Sequence, residues 1–426
     1  MRRPGQPYEI KRRSTYLEPA ADGAEGDGGP PTTRTAARRR RAVYRRRRIV
    51  ASVGAAALVA SVAVVAFVAS TSVRVLDNIG ENAVARPGVD RDKLDAPAWD
   101  GAVDLLIMGS DTRDGQVSGD YGEASGARSD VMMLLHVAAD RESATLVSIP
   151  RDTMLPSPEC LTDGGRTIAA SAAVQVNGLL EHGPYCSLDA MRDFTGLDLE
   201  HFLVVGFDGV VGITEAIGGV EVCVAHDVAD PYSGLFLDAG THTLAGEQAL
   251  AFLRTRHGFA DGSDLGRIQA QQAFLGSLAR SVQDAGTLSN PTALFRLADA
   301  ASQAITVDEA IADPGSLVAL ASTLADVDLD RLVMVQLPVM PYAPDPNRVA
   351  PRSEEAAALF AALRDDRPVM LTSESPEAAP EAHAPSAPAE QSTAVPEPAE
   401  PTGSAPEPTH ELDGAGQRAD EVRCAA

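Results

Sequence analysis

Arginines and carboxylates placed at the ends of predicted elements are the residues of this chain with chemistry to offer. They are densest in Arg254–Gln272, which reads RTRHGFADGSDLGRIQAQQ. Arg254 and Arg256 alternate after the apolar run Leu250–Leu253, a Gly/Asp loop follows, and a helix opens at about Asp264. At about 100° per residue, Asp264, Arg267 and Gln271 fall within about 60° of one another. Ile268, Leu275, Leu278 and Val282 share nearly the same arc, so the helix turns inward a face that begins charged and becomes apolar. A buried ion needs a partner or shifts its pKa. That partner comes from elsewhere in the fold or from an anionic ligand. A structural Asp–Arg network accounts for this helix equally well; the two upstream arginines favour the ligand.

Asp111, Arg113, Arg128, Asp130 and Arg151 extend the set, each beside the end of a predicted strand. Guanidinium forks suit phosphate oxygens, which they bind with paired, charge-assisted hydrogen bonds. Two carboxylates held together suit a hard divalent cation that shares its remaining positions with phosphate. Arginines with a carboxylate-held metal are what phosphoryl transfer requires, because its catalysis is mostly positioning and charge neutralisation. Taken singly, each arginine reads as a surface salt bridge. Only Lys11 and Lys93 are lysines among the 36 basic residues, so the presence of an arginine says little and its position carries the case. There is no G-x-S-x-G, Walker A loop, H-E-x-x-H or paired C-x-x-C, and the eight histidines are scattered.

The elements that must position these groups begin near Gly101. Short apolar runs at Val103–Met108, Val131–Val137, Ala144–Ile149, His201–Phe207, Val220–Val224 and Arg331–Val339 read as strands. Helical patterns fall at 188–195, 208–217, from Leu244 to the delivery of Arg254, 264 onward, 291–304, 313–325 and 353–363, with Asp227–Gly240 an irregular loop. Strands and helices mix without strict alternation. The expected fold is α/β, a three-layer sandwich with a mixed central sheet flanked by helices, behind one N-terminal transmembrane helix.

That helix is Ile49–Ser70, 22 residues without a charge, long enough for the roughly 30 Å hydrocarbon core. It is too long for a signal peptide and has no A-x-A site just beyond it. Residues 1–48 carry 14 basic and five acidic residues, which places the N-terminus in the cytoplasm and the rest outside the cell membrane. The expected organisation is a disordered basic tail at 1–48, a span at 49–70, a stem at 71–100, a folded domain at 101–370 and a disordered Pro/Ala/Glu-rich tail at 371–426. The last contains nine prolines between Pro376 and Pro408. The net charge of −24 argues against nucleic acid as a partner. Outside the cell disulfides are possible: Cys160 and Cys186 are the candidate pair, Cys223 reads as a buried thiol in a strand, and Cys424 as free.

Six motifs occur in one order: MGSDTR at 108–113, RSD at 128–130, IPRD at 149–152, GGVEV at 218–222, GEQALAFLRTRH at 246–257 and DLGRIQ at 264–269. With DPNRV at 345–349, they resemble the LytR-CpsA-Psr family over about residues 101–365. The resemblance implies a membrane-anchored, extracytoplasmic phosphotransferase that moves anionic glycopolymers from a polyprenyl-diphosphate lipid onto peptidoglycan. It implies that Arg151, Arg254, Arg256 and Arg267 bind the diphosphate, with Gln271 nearby; from their places at element ends, Arg113 and Arg128 are further substrate-site candidates and Asp264 a further catalytic one. It also implies that Asp111 and Asp130 serve Mg²⁺ or Mn²⁺, and that the prenyl chain lies in an apolar tunnel between sheet and helices. Three departures from the family pattern stand out. Gln175 stands where a basic residue usually precedes Asn177, removing one diphosphate contact. Thr241 stands where relatives often carry a cysteine, which leaves Cys223 unpaired. The Pro-rich tail replaces the further domain of some relatives. A non-catalytic, regulatory binder of polyprenyl-linked intermediates would keep the arginines without needing both aspartates, and a lipid diphosphatase would use the same site with water as acceptor.

Overall fold

The structure, a computed structural model, describes residues 72–89, 101–110, 128–255, 264–284, 291–325, 327–371, 410–412 and 416–425, together with 70, 99, 258 and 259. The basic tail and the expected span, but for Ser70, lie outside these residues.

Eight strands make the central sheet: β1 Ala83–Val84, β2 Val103–Ser110, β3 Ser129–Val137, β4 Ala144–Ile149, β5 His201–Val205, β6 Ile305–Asp308, β7 Leu332–Gln336 and β8 Gly416–Arg418. Their order is β1-β6-β5-β2-β3-β4-β7-β8. β2 runs parallel to β5 and β4 parallel to β7, while β3 lies antiparallel between β2 and β4. The fold is thus mixed α/β with a mixed sheet at its centre.

Strand periodicity explains why the apolar runs of β2 and β3 are nearly continuous, because both faces of the sheet are covered. Leu106, Met108, Met132 and Leu134 enter one core, which the helices Pro184–Thr195 and Ser353–Arg364 close with Leu188, Met191, Leu359 and Phe360. Leu105, Met133 and Leu135 enter a second, where Ile311, Leu320 of helix Pro314–Ala325 and Leu275 of helix Asp264–Asp284 pack. A third core lies between the small sheet built on Val220–Val224 and the helices Glu247–Arg254 and Asp264–Asp284, centred on Phe252 and Phe274.

Four expectations need correcting. The stem is part of the domain: residues 72–81 are helical and β1 pairs with β6 through Ala83 and Val307. Asp227–Gly240 contains a hairpin, Val228–Asp230 against Leu235–Leu237, because Val228 and Leu235 bury themselves in the third core. The end of the Pro-rich tail returns to the domain, with β8 on the sheet edge beside β7 and Cys424–Ala425 parallel to Val220–Val224. Finally, Cys223 and Cys424 are neither a buried thiol nor a free one. They are joined in a disulfide across that pairing, with Cα atoms 4.4 Å apart. Cys160 and Cys186 are joined as well, with Cα atoms 5.4 Å apart.

Candidate functional site

The parallel strands β2, β4, β5 and β7 end at one edge of the sheet, the usual place for a ligand in an open α/β fold. β2 leaves the ladder there through a register shift at Gly109 and Ser110. β3 enters beside it at Ser129, which brings Asp130 to the rim, and the turn after β4 delivers Arg151 to the same place. Arg151 Nη1 donates to Asp130 Oδ1 at 2.9 Å. Arg267 Nη2 reaches the backbone carbonyl of Asp130 at 3.4 Å.

Helix Asp264–Asp284 carries Arg267, Gln271 and Gln272, all buried. Ile268, Ala270 and Phe274 are buried too, so most of its circumference faces protein and charge enters the interior with it. Gln271 Nε2 donates to the carbonyl of Leu253 at 3.3 Å, and Gln272 Nε2 to Ser148 Oγ at 3.1 Å. Arg254 ends its own helix, Glu247–Arg254, where a cation complements the helix dipole. Its guanidinium carbon lies 4.9 Å from the ring centroid of Phe207, a cation–π contact. Arg254 is therefore delivered by a helix, as the pattern from Leu244 predicts. Thr255 is the first extended residue.

Between these groups lies a cavity of about 560 Å³. Its walls are apolar: Ile107, Val131 and Met133 from the sheet, Phe207 and Val210 from the following helix, and Leu253, Phe274 and Leu278 from the two helices behind. Asp130, Arg254, Arg267 and Gln271 also line it. An apolar hollow with a few convergent polar groups is the usual form of a small-molecule site, and this one suits an anion on a long apolar chain.

Behind Arg151 stands a carboxylate that the motif pattern contained without revealing its role. Asp152 Oδ1 accepts from Gln175 Nε2 at 2.6 Å and from Arg348 Nη1 at 2.7 Å, and its Oδ2 lies 3.6 Å from Arg151 Nε. The signal was the Asp of IPRD and the Arg of DPNRV, nearly two hundred residues apart. Gln175, where a basic residue was expected, serves this carboxylate.

Of the expected site residues, Asp130, Arg254, Arg267 and Gln271 meet at the cavity, and Arg151 joins them through Asp130. Arg128 stands apart from this cavity: its Nε pairs with Glu181 Oε1 at 2.9 Å, on the exposed surface. Asp264 opens the helix that carries Arg267. Asp111, Arg113 and Arg256 lie outside the described residues.

Residues 64–361 match the LytR_cpsA_psr family. The chain belongs to the LytR-CpsA-Psr family. Among relatives of this LytR-CpsA-Psr protein is the cell wall biosynthesis protein LcpA of Corynebacterium glutamicum, 34% identical over 52% of this chain and 48% of that protein. Another is the polyisoprenyl-teichoic acid–peptidoglycan teichoic acid transferase TagU of Oceanobacillus iheyensis, 29% identical over 49% of this chain and 59% of that protein. The chain spans about half the length of the curated relatives it matches. The crystal structure of protein gbs0355 from Streptococcus agalactiae shares the fold, with a TM-score of 0.50 at 18% identity over 62% of this chain and 88% of that one.

Proposed function

We propose that this protein is a phosphotransferase that moves an anionic glycopolymer from a polyprenyl-diphosphate carrier onto peptidoglycan. The observation that carries the reading is the cavity of about 560 Å³, whose largely apolar lining also takes in Arg254, Arg267 and Asp130. A polyprenyl diphosphate has the matching division, an apolar chain ended by two phosphates. TagU is named for a transfer of this kind.

In this reading the prenyl chain packs among Val210, Leu253 and Phe274, and the diphosphate meets Arg254, Arg267 and Arg151, with Arg256 and Arg113 as further contacts. The arginines neutralise charge on the phosphate oxygens and orient the phosphorus toward the acceptor. Asp152, held by Gln175 and Arg348, fixes the Arg151 side chain. Asp130, a hard oxygen donor at the rim, fits a magnesium ligand, with Asp111 as its partner. Such an ion needs only one or two carboxylates when phosphate completes its shell. When bound, the ion supplies further charge neutralisation. Residues 49–70 would span the membrane and hold the domain on its outer side, where lipid carrier and peptidoglycan meet.

The test is transfer of a lipid-linked polymer to peptidoglycan in Mg²⁺ and in chelator. Asp111→Asn is expected to retain lipid binding and lose transfer. Lipid binding by the wild type without turnover on any acceptor would overturn the reading.

A further inference from the structure

A second cavity, of about 550 Å³, lies at the same edge of the sheet but against the opposite face. Its floor includes Val84, Leu180 and Val204, which pack with the first core. The lipid-shaped cavity instead includes Ile107, Met133 and Leu275, which pack with the second, and touches the first through Met108 of β2. Ser110, where β2 leaves the ladder, borders both. The sheet edge is thus a partition, with the cavity that Arg254 and Arg267 line on one side and a polar hollow on the other.

We propose that this second cavity is the acceptor subsite, seating a hydroxyl-bearing glycan so that its hydroxyl meets the phosphorus from the side opposite the lipid. The inference rests on the phosphotransferase reading above. Phosphoryl transfer runs in line, with attacking and leaving oxygens on opposite sides of phosphorus. The leaving group is the polyprenyl monophosphate, whose chain occupies the apolar cavity. The acceptor must then come from the other face. Its hydroxyl oxygen forms the new P–O bond, and the bridging oxygen departs with its electron pair on the polyprenyl monophosphate. The hydroxyl proton passes to water in the open hollow.

The lining suits a sugar. Asp163, Arg166, Glu181 and His182 supply charged and planar hydrogen-bonding groups, and Thr162 and Thr306 supply hydroxyls. The wall is shaped around one carboxylate: a Cβ on Gly183 would lie 2.7 Å from Asp163 Oδ1, so glycine there gives the carboxyl its place. Asp163 is exposed, and partial desolvation by the wall pushes its carboxyl up from its ordinary pKa. The two walls are covalently tied, because Cys160 leads into the 162–166 turn and Cys186 follows Pro184, and the two are joined. Turn hydrogen bonds from Gly165 N to Thr162 O at 2.8 Å and from Thr162 N to Arg166 O at 2.9 Å hold one wall, and Arg128 braces Glu181 in the other. This gives the expected substrate residue Arg128 a place on the acceptor side.

The experiment uses the full chain, a polyprenyl-diphosphate-linked disaccharide as donor and a soluble peptidoglycan glycan fragment as acceptor. Asp163→Asn and Arg166→Ala are compared with wild type for acceptor KM, donor Kd and thermal unfolding. The expected result is an acceptor KM raised about tenfold with donor Kd unchanged, the pattern of lost acceptor binding. Asp163 and Arg166 are both exposed, and the Arg166 variant decides the matter if Asp163→Asn fails to fold. An acceptor KM within twofold of wild type in a folded variant overturns the subsite and leaves the phosphotransferase reading standing. A weakened donor Kd with unchanged acceptor KM also overturns it, and assigns the hollow to the donor's own sugars. A wild type that transfers to no acceptor removes the underlying reading, and the subsite with it.

Discussion

Arg151 and Asp130 meet at 2.9 Å although the one follows β4 and the other begins β3. The hydrogen bond joins a diphosphate-binding candidate to a metal-binding candidate, so the two roles are coupled through one pair of atoms. Asp152 restrains the same guanidinium from behind at 3.6 Å.

Replacing Arg151 with Ala is expected to weaken binding of a fluorescent polyprenyl diphosphate by roughly tenfold to a hundredfold, the effect of losing a charge-assisted contact of about 1.5–3 kcal/mol. Arg151→Lys should recover little, since a point charge cannot satisfy Asp130 and a phosphate with one planar fork. Arg254→Ala should behave alike. Unchanged binding in both alanine variants would remove the site assignment.

Filling the apolar cavity should separate chain from head group. Val210→Trp occupies space a prenyl chain needs while leaving Arg254 and Arg267 themselves unchanged. Titration is expected to show a large loss of affinity for a long polyprenyl diphosphate and little change for a five-carbon one. Equal losses for both would show that the cavity does not hold the chain.

The Cys223–Cys424 bridge closes a separation of 201 residues and holds Cys424–Ala425 on the small sheet. Ala419 and Ala425 are buried beside helix Asp264–Asp284, and Arg280 Nη1 of that helix donates to the carbonyl of Glu421 at 3.0 Å. Cys424→Ser should lower stability by about 2–5 kcal/mol. Urea unfolding of the variant, with and without reductant, measures this. A midpoint equal to that of oxidised wild type would show that the bridge contributes nothing.

His136 lies between two carboxylates, with Nδ1 2.8 Å from Asp104 Oδ1 and Nε2 3.2 Å from Asp366 Oδ1. Only the imidazolium donates from both nitrogens. Burial opposes its charge, but the hydrogen bond and charge of Asp104, with Asp366 behind it, prevail and hold the pKa above the ordinary value. The stabilisation is fully present below the unfolded pKa of about 6.5 and is lost as pH rises through the higher folded value. Stability measured from pH 6 upward should therefore decline, and the decline should flatten in His136→Gln. An identical slope in that variant would assign the pH dependence to other groups.

Local pattern alone determined a good deal here. The apolar runs of β2, β3 and β4 announce strands because buried side chains recur with the pleat, and Arg267 and Gln271 announce one inward helical face because they stand four residues apart. The motif order announces the family. Sequence pattern shows that a face is buried, but it does not show what covers it. Cys424 sits in a tail whose composition forms no core of its own, and only the strand pairing beside Val220–Val224 brings it to Cys223. Asp152 reads as one more charge until the fold carries Arg348 to it across 196 residues. The two cavities at Ser110 are likewise invisible in sequence, because they belong to opposite faces of a sheet whose strand order no local periodicity encodes. Tertiary structure alone decided those meetings, since each depends on long-range packing of elements that are individually indifferent to their partners.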